Sequence, residues 1–186
     1  PIAPTGAERD ILANGRYGGT ILARYLDPPS MDFNRTLSCT INSTMDVTKN
    51  KLTRAAFGPK ADMFRVTIEP DLAESWEVNA DATQFTFHLH KGVKFHNVAP
   101  TNGREFTSDD VKATVERYKA GGTQQDVWAV VDSMEFPDKY TAVFKLNQPL
   151  ADFPKNIAAW SHMDAREMVE DNNFLKEHAV GTGPFL

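Results

Sequence analysis

Apolar and polar residues alternate most cleanly over residues 84–90, where Phe85, Phe87 and Leu89 fall on one side and Thr86, His88 and His90 on the other. A period of two with one apolar face predicts a half-buried strand. Just upstream, Trp76-Glu77-Val78 runs into Asn79-Ala80-Asp81-Ala82, a turn, so the two segments read as a hairpin. Lys91-Gly92 turns the chain again, and Val93 and Phe95 continue the apolar pattern. A second hairpin is expected from strands at 133–136 and 140–146, joined by Pro137-Asp138-Lys139.

The period changes to that of a helix over residues 108–120, with Val111, Val115 and Tyr118 on one face. Thr107 or Ser108 supplies an N-cap, Asp109 and Asp110 sit in the first turn, and Arg117 and Lys119 lie in the last. Gly121-Gly122 ends it. Further helices are expected at 150–159 and 165–172. Another is expected at 46–57, where Leu52, Ala55 and Ala56 make an apolar face and Gly58-Pro59 stops it. Residues 30–45 are polar and turn-rich, with no clear period. Residues 20–26 read as a strand bounded by Gly18-Gly19 and Asp27-Pro28-Pro29, after a flexible lead-in over 1–16. Separate hairpins and helices without an internal repeat make an α+β, mixed α/β, domain.

Length and charge narrow the function classes. A chain of 186 residues fits one domain or slightly more and can bury a core unaided. Twenty basic against 25 acidic residues, with no Lys/Arg cluster, argue against a nucleic-acid partner. No apolar run reaches the ~20 residues of a membrane-spanning helix. The lone Cys39 permits neither an internal disulfide nor a cysteine-based zinc site. Pro1-Ile2-Ala3-Pro4-Thr5-Gly6 lacks the basic start and apolar stretch of a signal peptide, so a mature or trimmed N-terminus is expected. Val180-Gly181-Thr182-Gly183-Pro184-Phe185-Leu186 reads as a turn feeding an apolar strand, and the expectation is a portion of a longer protein.

Candidate chemistry is sparse. His88 and His90 share a strand face and His96 follows, a spacing zinc can use, but no Asp, Glu or Cys stands at ligand spacing. No metal and no cofactor are therefore expected. Gly181-Thr182-Gly183 opens like a phosphate loop but lacks its third glycine and its Gly-Lys-Ser/Thr ending. Asp109 and Asp110 are explained by the helix start, and no nucleophile elbow or His-Glu-x-x-His is present, so no catalytic residue is assigned. Trp76 reads as core. Trp128 follows a Gly- and Gln-rich break, where an aromatic either lines a pocket or packs into the core.

Four motifs go further in their order and separation: Pro70-Asp71-Leu72-Ala73-Glu74-Ser75-Trp76-Glu77-Val78, Phe85-Thr86-Phe87-His88-Leu89-His90-Lys91-Gly92-Val93-Lys94-Phe95-His96, Phe106-Thr107-Ser108-Asp109-Asp110-Val111 and Gly181-Thr182-Gly183-Pro184-Phe185. Together with Asp27-Pro28-Pro29-Ser30-Met31-Asp32, they resemble the family 5 extracellular solute-binding proteins, the dipeptide- and oligopeptide-binding components of ABC importers. His90 stands where the family usually has Arg, and residues 97–104 lengthen the turn after His96. The resemblance implies a two-lobed, type II periplasmic-binding-protein-like fold. Residues 37–178 would form the extra subdomain of the first lobe. Residues 1–36 and 179–186 would belong to that lobe's parent sheet, with the second lobe absent. It also implies ligand contact at Leu37, Ser38, Cys39 and Thr40, by strand-like backbone pairing, and at Trp128 as an aromatic wall. The implied function is that of a non-enzymatic, monomeric receptor in the periplasm or at the cell surface, handing peptides to an ABC permease. A nickel chelate, an oligosaccharide or an opine is the alternative solute. A stand-alone interaction domain without a small ligand is the alternative from another class.

Overall fold

The computed structural model describes residues 30–36, 38–56, 61–62, 65–171 and 173–186. The expected strand at 20–26 and the lead-in lie outside them. The described elements are α1 (Cys39–Thr48), β1 (Thr53–Ala55), β2 (Ile68–Pro70), β3 (Ala73–Val78), β4 (Gln84–Leu89), α2 (Ser108–Lys119), α3 (Gln125–Trp128), β5 (Val131–Asp138), β6 (Thr141–Leu146), α4 (Phe153–Trp160), α5 (Arg166–Glu170) and α6 (Phe174–Glu177). The mixture is α/β, as the patterning predicts.

Both hairpins form, and they join into one antiparallel sheet of order β3-β4-β6-β5. Phe85 pairs with Phe144 and Phe87 with Ala142 across the β4–β6 ladder, so the alternation of the two strands is in phase. Phe85, Phe87, Leu89, Ala142, Phe144 and Leu146 all point to the buried face. Val111, Val115 and Tyr118 of α2, Trp128 of α3, and Phe153 and Ile157 of α4 are buried in the same core. Each such side chain taken from water contributes roughly 1.5–3 kcal/mol. Trp76 lies half-buried against Phe87, with ring centroids 6.3 Å apart.

The α2 helix begins as expected. Thr107 has extended backbone and its N–H donates to Asp110 Oδ2 at 2.9 Å, one arm of a capping box. Asp110 is fully buried and also accepts from both terminal nitrogens of Arg104, at 2.6 and 2.9 Å, and from the Arg166 N–H at 3.0 Å. One carboxylate thereby ties the start of α2 to that of α5. At the far end, Arg117 makes a buried two-pronged pair with Asp32, at 2.9 and 2.7 Å, which anchors the 30–36 segment.

One expectation is corrected. The helix placed at 46–57 lies instead at Cys39–Thr48, and a strand follows it. Ser38 is the N-cap, its Oγ accepting the Thr40 N–H at 3.3 Å. The threonines that read as turn-formers bond back within the helix: Thr44 to Thr40 O at 3.1 Å and Thr48 to Thr44 O at 3.0 Å. Ile41 and Met45, one turn apart, form its buried stripe. Lys49 leaves the helix in extended backbone, so Leu52 enters the core from an extended segment. The apolar spacing of Leu52, Ala55 and Ala56 had imitated a helix face.

The Gly181-Thr182-Gly183 turn lies against the end of α1. The Gly183 N–H donates to Thr48 O at 2.9 Å, and a Cβ on Gly181 would stand 2.2 Å from that same oxygen. His96 grips the turn from the other side. Its Nδ1 accepts the Gly181 N–H at 3.1 Å, which leaves the proton on Nε2 to be donated to Gly183 O at 2.8 Å.

Candidate functional site

An open cleft of about 560 Å³ lies between the β1–β2 ribbon and α4. Its size is that of a small-ligand pocket. Ala55, Val66 and Ile68 form one wall, Ala158, Ala159 and Trp160 the opposite one, and Gln124 and Val127 close the end. Lys155 and Asn156 stand at the rim, and Lys155 is the one charged side chain among these lining residues.

The wall on α4 follows from that helix's sequence. Pro154 sits in its first turn, where the missing N–H costs nothing. Phe153 and Ile157 face the core, which turns Lys155, Asn156 and Ala159 outward. Thr53 Oγ1 donates to Pro154 O at 2.7 Å and fixes the ribbon against the helix. Trp160 ends the helix half-buried and stacks on Phe33 at 5.8 Å. It therefore belongs both to the cleft and to the small cluster of Phe33, Ile41 and Met45 beneath α1.

Trp128 is not a surface aromatic. It is fully buried, stacked on Tyr118 at 6.2 Å and packed against Phe144 and Phe153. Its Nε1–H donates to Ser161 Oγ at 3.1 Å. Val127, its neighbour in the same short turn, is the residue that reaches the cleft. Of the stretch expected to pair with ligand backbone, Leu37 lies outside the described residues. Ser38 is extended, with φ −152° and ψ 137°, whereas Cys39 and Thr40 are already helical. Strand-like pairing in this conformation stops at Ser38.

The three histidines do not converge. His88 pairs with Glu77 and His90 with Glu74 across the strands, while His96 is committed to the glycine turn. No group of three or more His, Cys, Asp or Glu among the described residues is arranged to hold a metal ion. Sequence reasoning missed Trp160 and His162. Trp160 continues the spacing of Phe153 and Ile157 and so looks like one more core residue. His162 follows a predicted helix with no motif around it.

Residues 67–186 match the family model described as bacterial extracellular solute-binding proteins, family 5 middle. Di/tripeptide-binding protein 1 of Pseudomonas aeruginosa (strain UCBPP-PA14) is 35% identical over 141 residues, covering 63% of this chain and 26% of that protein. The periplasmic binding protein AgaA of A. tumefaciens R10, solved with agropinic acid, superposes with a TM-score of 0.72 at 28% identity. That match covers 86% of this chain and 31% of AgaA. The periplasmic binding protein DppA of Helicobacter pylori, solved with the peptide STSA, gives a TM-score of 0.69 at 29% identity and covers 86% and 35%. The chain thus spans about a quarter of the length of the curated relative and about a third of each solved one. Its fold is part of the two-lobed periplasmic-binding-protein architecture. With the matched region running from the start of β2 through the glycine turn, the chain belongs to the bacterial extracellular solute-binding proteins of family 5.

Proposed function

We propose that this chain forms part of the first lobe of an extracytoplasmic solute receptor that binds short peptides and delivers them to a membrane ABC permease. The observation that carries the reading is the family membership of residues 67–186 together with an apolar, aromatic-walled cleft lined mostly by that region, with Ala55 and Val66 just before it. Relatives named for di- and tripeptide binding support the peptide assignment. In this reading residues 37–178 are the subdomain of the first lobe, and residues 1–36 and 179–186 join its parent sheet. The receptor works as a monomer in the periplasm or at the cell surface, free or lipid-anchored, and performs no chemistry on its solute.

The peptide lies over Trp160 and the start of α1, and of the stretch Leu37 to Thr40 the extended Ser38 is the described residue that offers it backbone. Trp128 acts from below. By holding the turn that carries Gln124 and Val127, it keeps the end of the cleft in shape. Closure by a second lobe supplies the other half of the contacts and excludes water. Calorimetry on a two-lobed protein containing these residues, with a panel of di- and tripeptides and an opine, tests this. Micromolar peptide binding is the expected result.

The likeness to AgaA, solved with agropinic acid, favours a second reading in which the solute is an opine. Opine binding without peptide binding in the same titration would select it.

A further inference from the structure

A seam of charged side chains runs through the interior where α1 meets the connection from α4 to α5. Lys49 pairs with Asp164 at 2.5 Å, both side chains nearly sealed from solvent. Asp46 of α1 pairs with Lys51 and lies 2.9 Å from Nε2 of His162. The Thr114 hydroxyl of α2 donates to Asp164 O and accepts the Asp164 N–H, and the Tyr118 hydroxyl donates to His162 O. The 30–36 segment closes the site with Phe33, whose ring meets the imidazole edge-on at 5.0 Å, and with Asp32, which Arg117 neutralises.

The imidazole of His162 is 1% exposed, and its Nδ1 is buried with no hydrogen-bond partner. Nε2 faces a carboxylate, so it carries the proton, and Nδ1 holds a bare lone pair. A second proton would create an N–H at Nδ1 with no acceptor beside it, in a site already facing Lys49 and Lys51. Asp46 alone favours the cation, and Lys51 shares its charge.

We propose that this seam is an acid-sensitive latch: neutral His162 fastens α1 to the connection after Trp160, and acid opens it because the imidazole takes its proton only when exposed to water. Burial, the dominant cause, holds this imidazole below its ordinary value of 6.5. The Asp46 hydrogen bond works against that shift, and Lys51 and Lys49 add to it. A histidine depressed in this way contributes stability that is complete above its unfolded value and is lost as the pH falls below it. The latch does not depend on the receptor reading. Its bearing on solute does, because Trp160 and Phe33 connect the seam to the cleft wall.

The test uses the 186-residue protein. An NMR titration of the His162 ring runs beside urea unfolding at pH 8 to 5 for the wild type and His162→Gln, whose amide can still donate to Asp46. The ring should keep its neutral form below pH 6.5. The wild type should lose folding constant relative to His162→Gln by up to about tenfold per pH unit in that range. A ring that titrates at or above 6.5, or parallel unfolding curves for the two proteins, overturns the proposal. If His162→Gln does not fold, the ring titration decides by the same outcomes. A dipeptide titration read by tryptophan fluorescence at pH 7 and 5.5 separates the two claims. Affinity that falls with acid in the wild type ties the latch to the site, and equal affinity breaks that tie. No binding at either pH counts against the receptor reading and not against the latch.

Discussion

Replacing Trp128 separates a core tryptophan from one that serves the solute directly. No part of its side chain meets solvent, and three aromatic rings and one hydroxyl surround it. A buried tryptophan removes roughly 150–250 Å² from water. At about 25 cal/mol per Å² that is roughly 4–6 kcal/mol of transfer free energy. Large-to-small changes of this kind cost about 3–5 kcal/mol once partial collapse of the cavity is allowed. Trp128→Ala is therefore expected to lose about 4 kcal/mol, a large share of the ~5–15 kcal/mol that stabilises a typical domain. Trp128→Phe keeps most of the ring but strands the Ser161 hydroxyl, for a loss of about 1–2 kcal/mol. Urea denaturation followed by far-UV circular dichroism measures both without relying on the residue removed. A Trp128→Ala protein within about 1 kcal/mol of the wild type would refute the packing argument.

Three further outcomes follow from the same contacts. Gly181→Ala drives a methyl to 2.2 Å from Thr48 O and 2.6 Å from Lys49 Cγ, so it should cost about 1–3 kcal/mol in thermal unfolding. An unchanged melting temperature would contradict that close approach. Asp110→Ala removes the shared acceptor of Arg104, Thr107 and Arg166 and should destabilise by about 3 kcal/mol, read by urea unfolding. A loss under about 0.5 kcal/mol would show that water replaces it. For Asp46, burial raises the carboxyl, but the hydrogen bonds from His162 and Lys51 outweigh it and hold the group at about 2. Its folded value is depressed, so its stabilisation is present above about pH 4 and lost as the pH falls toward 2. Asp46→Asn should flatten that part of the acid unfolding curve, and an unaltered curve would remove Asp46 from the account.

The elements that could be read from sequence are those whose signals are local. Phe85, Phe87 and Leu89 declare a strand by alternation, and a Thr-Ser pair followed by Asp109 and Asp110 declares a helix start. α1 was misplaced because its threonines carry turn-forming hydroxyls that here satisfy the helix's own carbonyls. The cleft was not legible, since Ala55, Gln124 and Trp160 come together only through the tertiary fold. His162 was missed for the same reason: its partner Asp46 lies 116 residues away. The glycine segment does bend the chain, but residues 184–186 are not a strand among the described elements, and the crowding that requires Gly181 comes from Thr48 and Lys49, which no local pattern reveals.

The most direct test of the receptor claim is an NMR titration of the isotope-labelled 186-residue chain with a dipeptide, following backbone amides and the tryptophan indoles. An open half-site retains the cost of immobilising the ligand and only part of its burial. The account predicts saturable shifts at Ser38, Gln124, Val127 and the Trp160 indole, with a dissociation constant in the millimolar range, about −4 kcal/mol. Spectra unchanged at peptide concentrations well above that range would contradict it, as would shifts confined to residues away from the cleft.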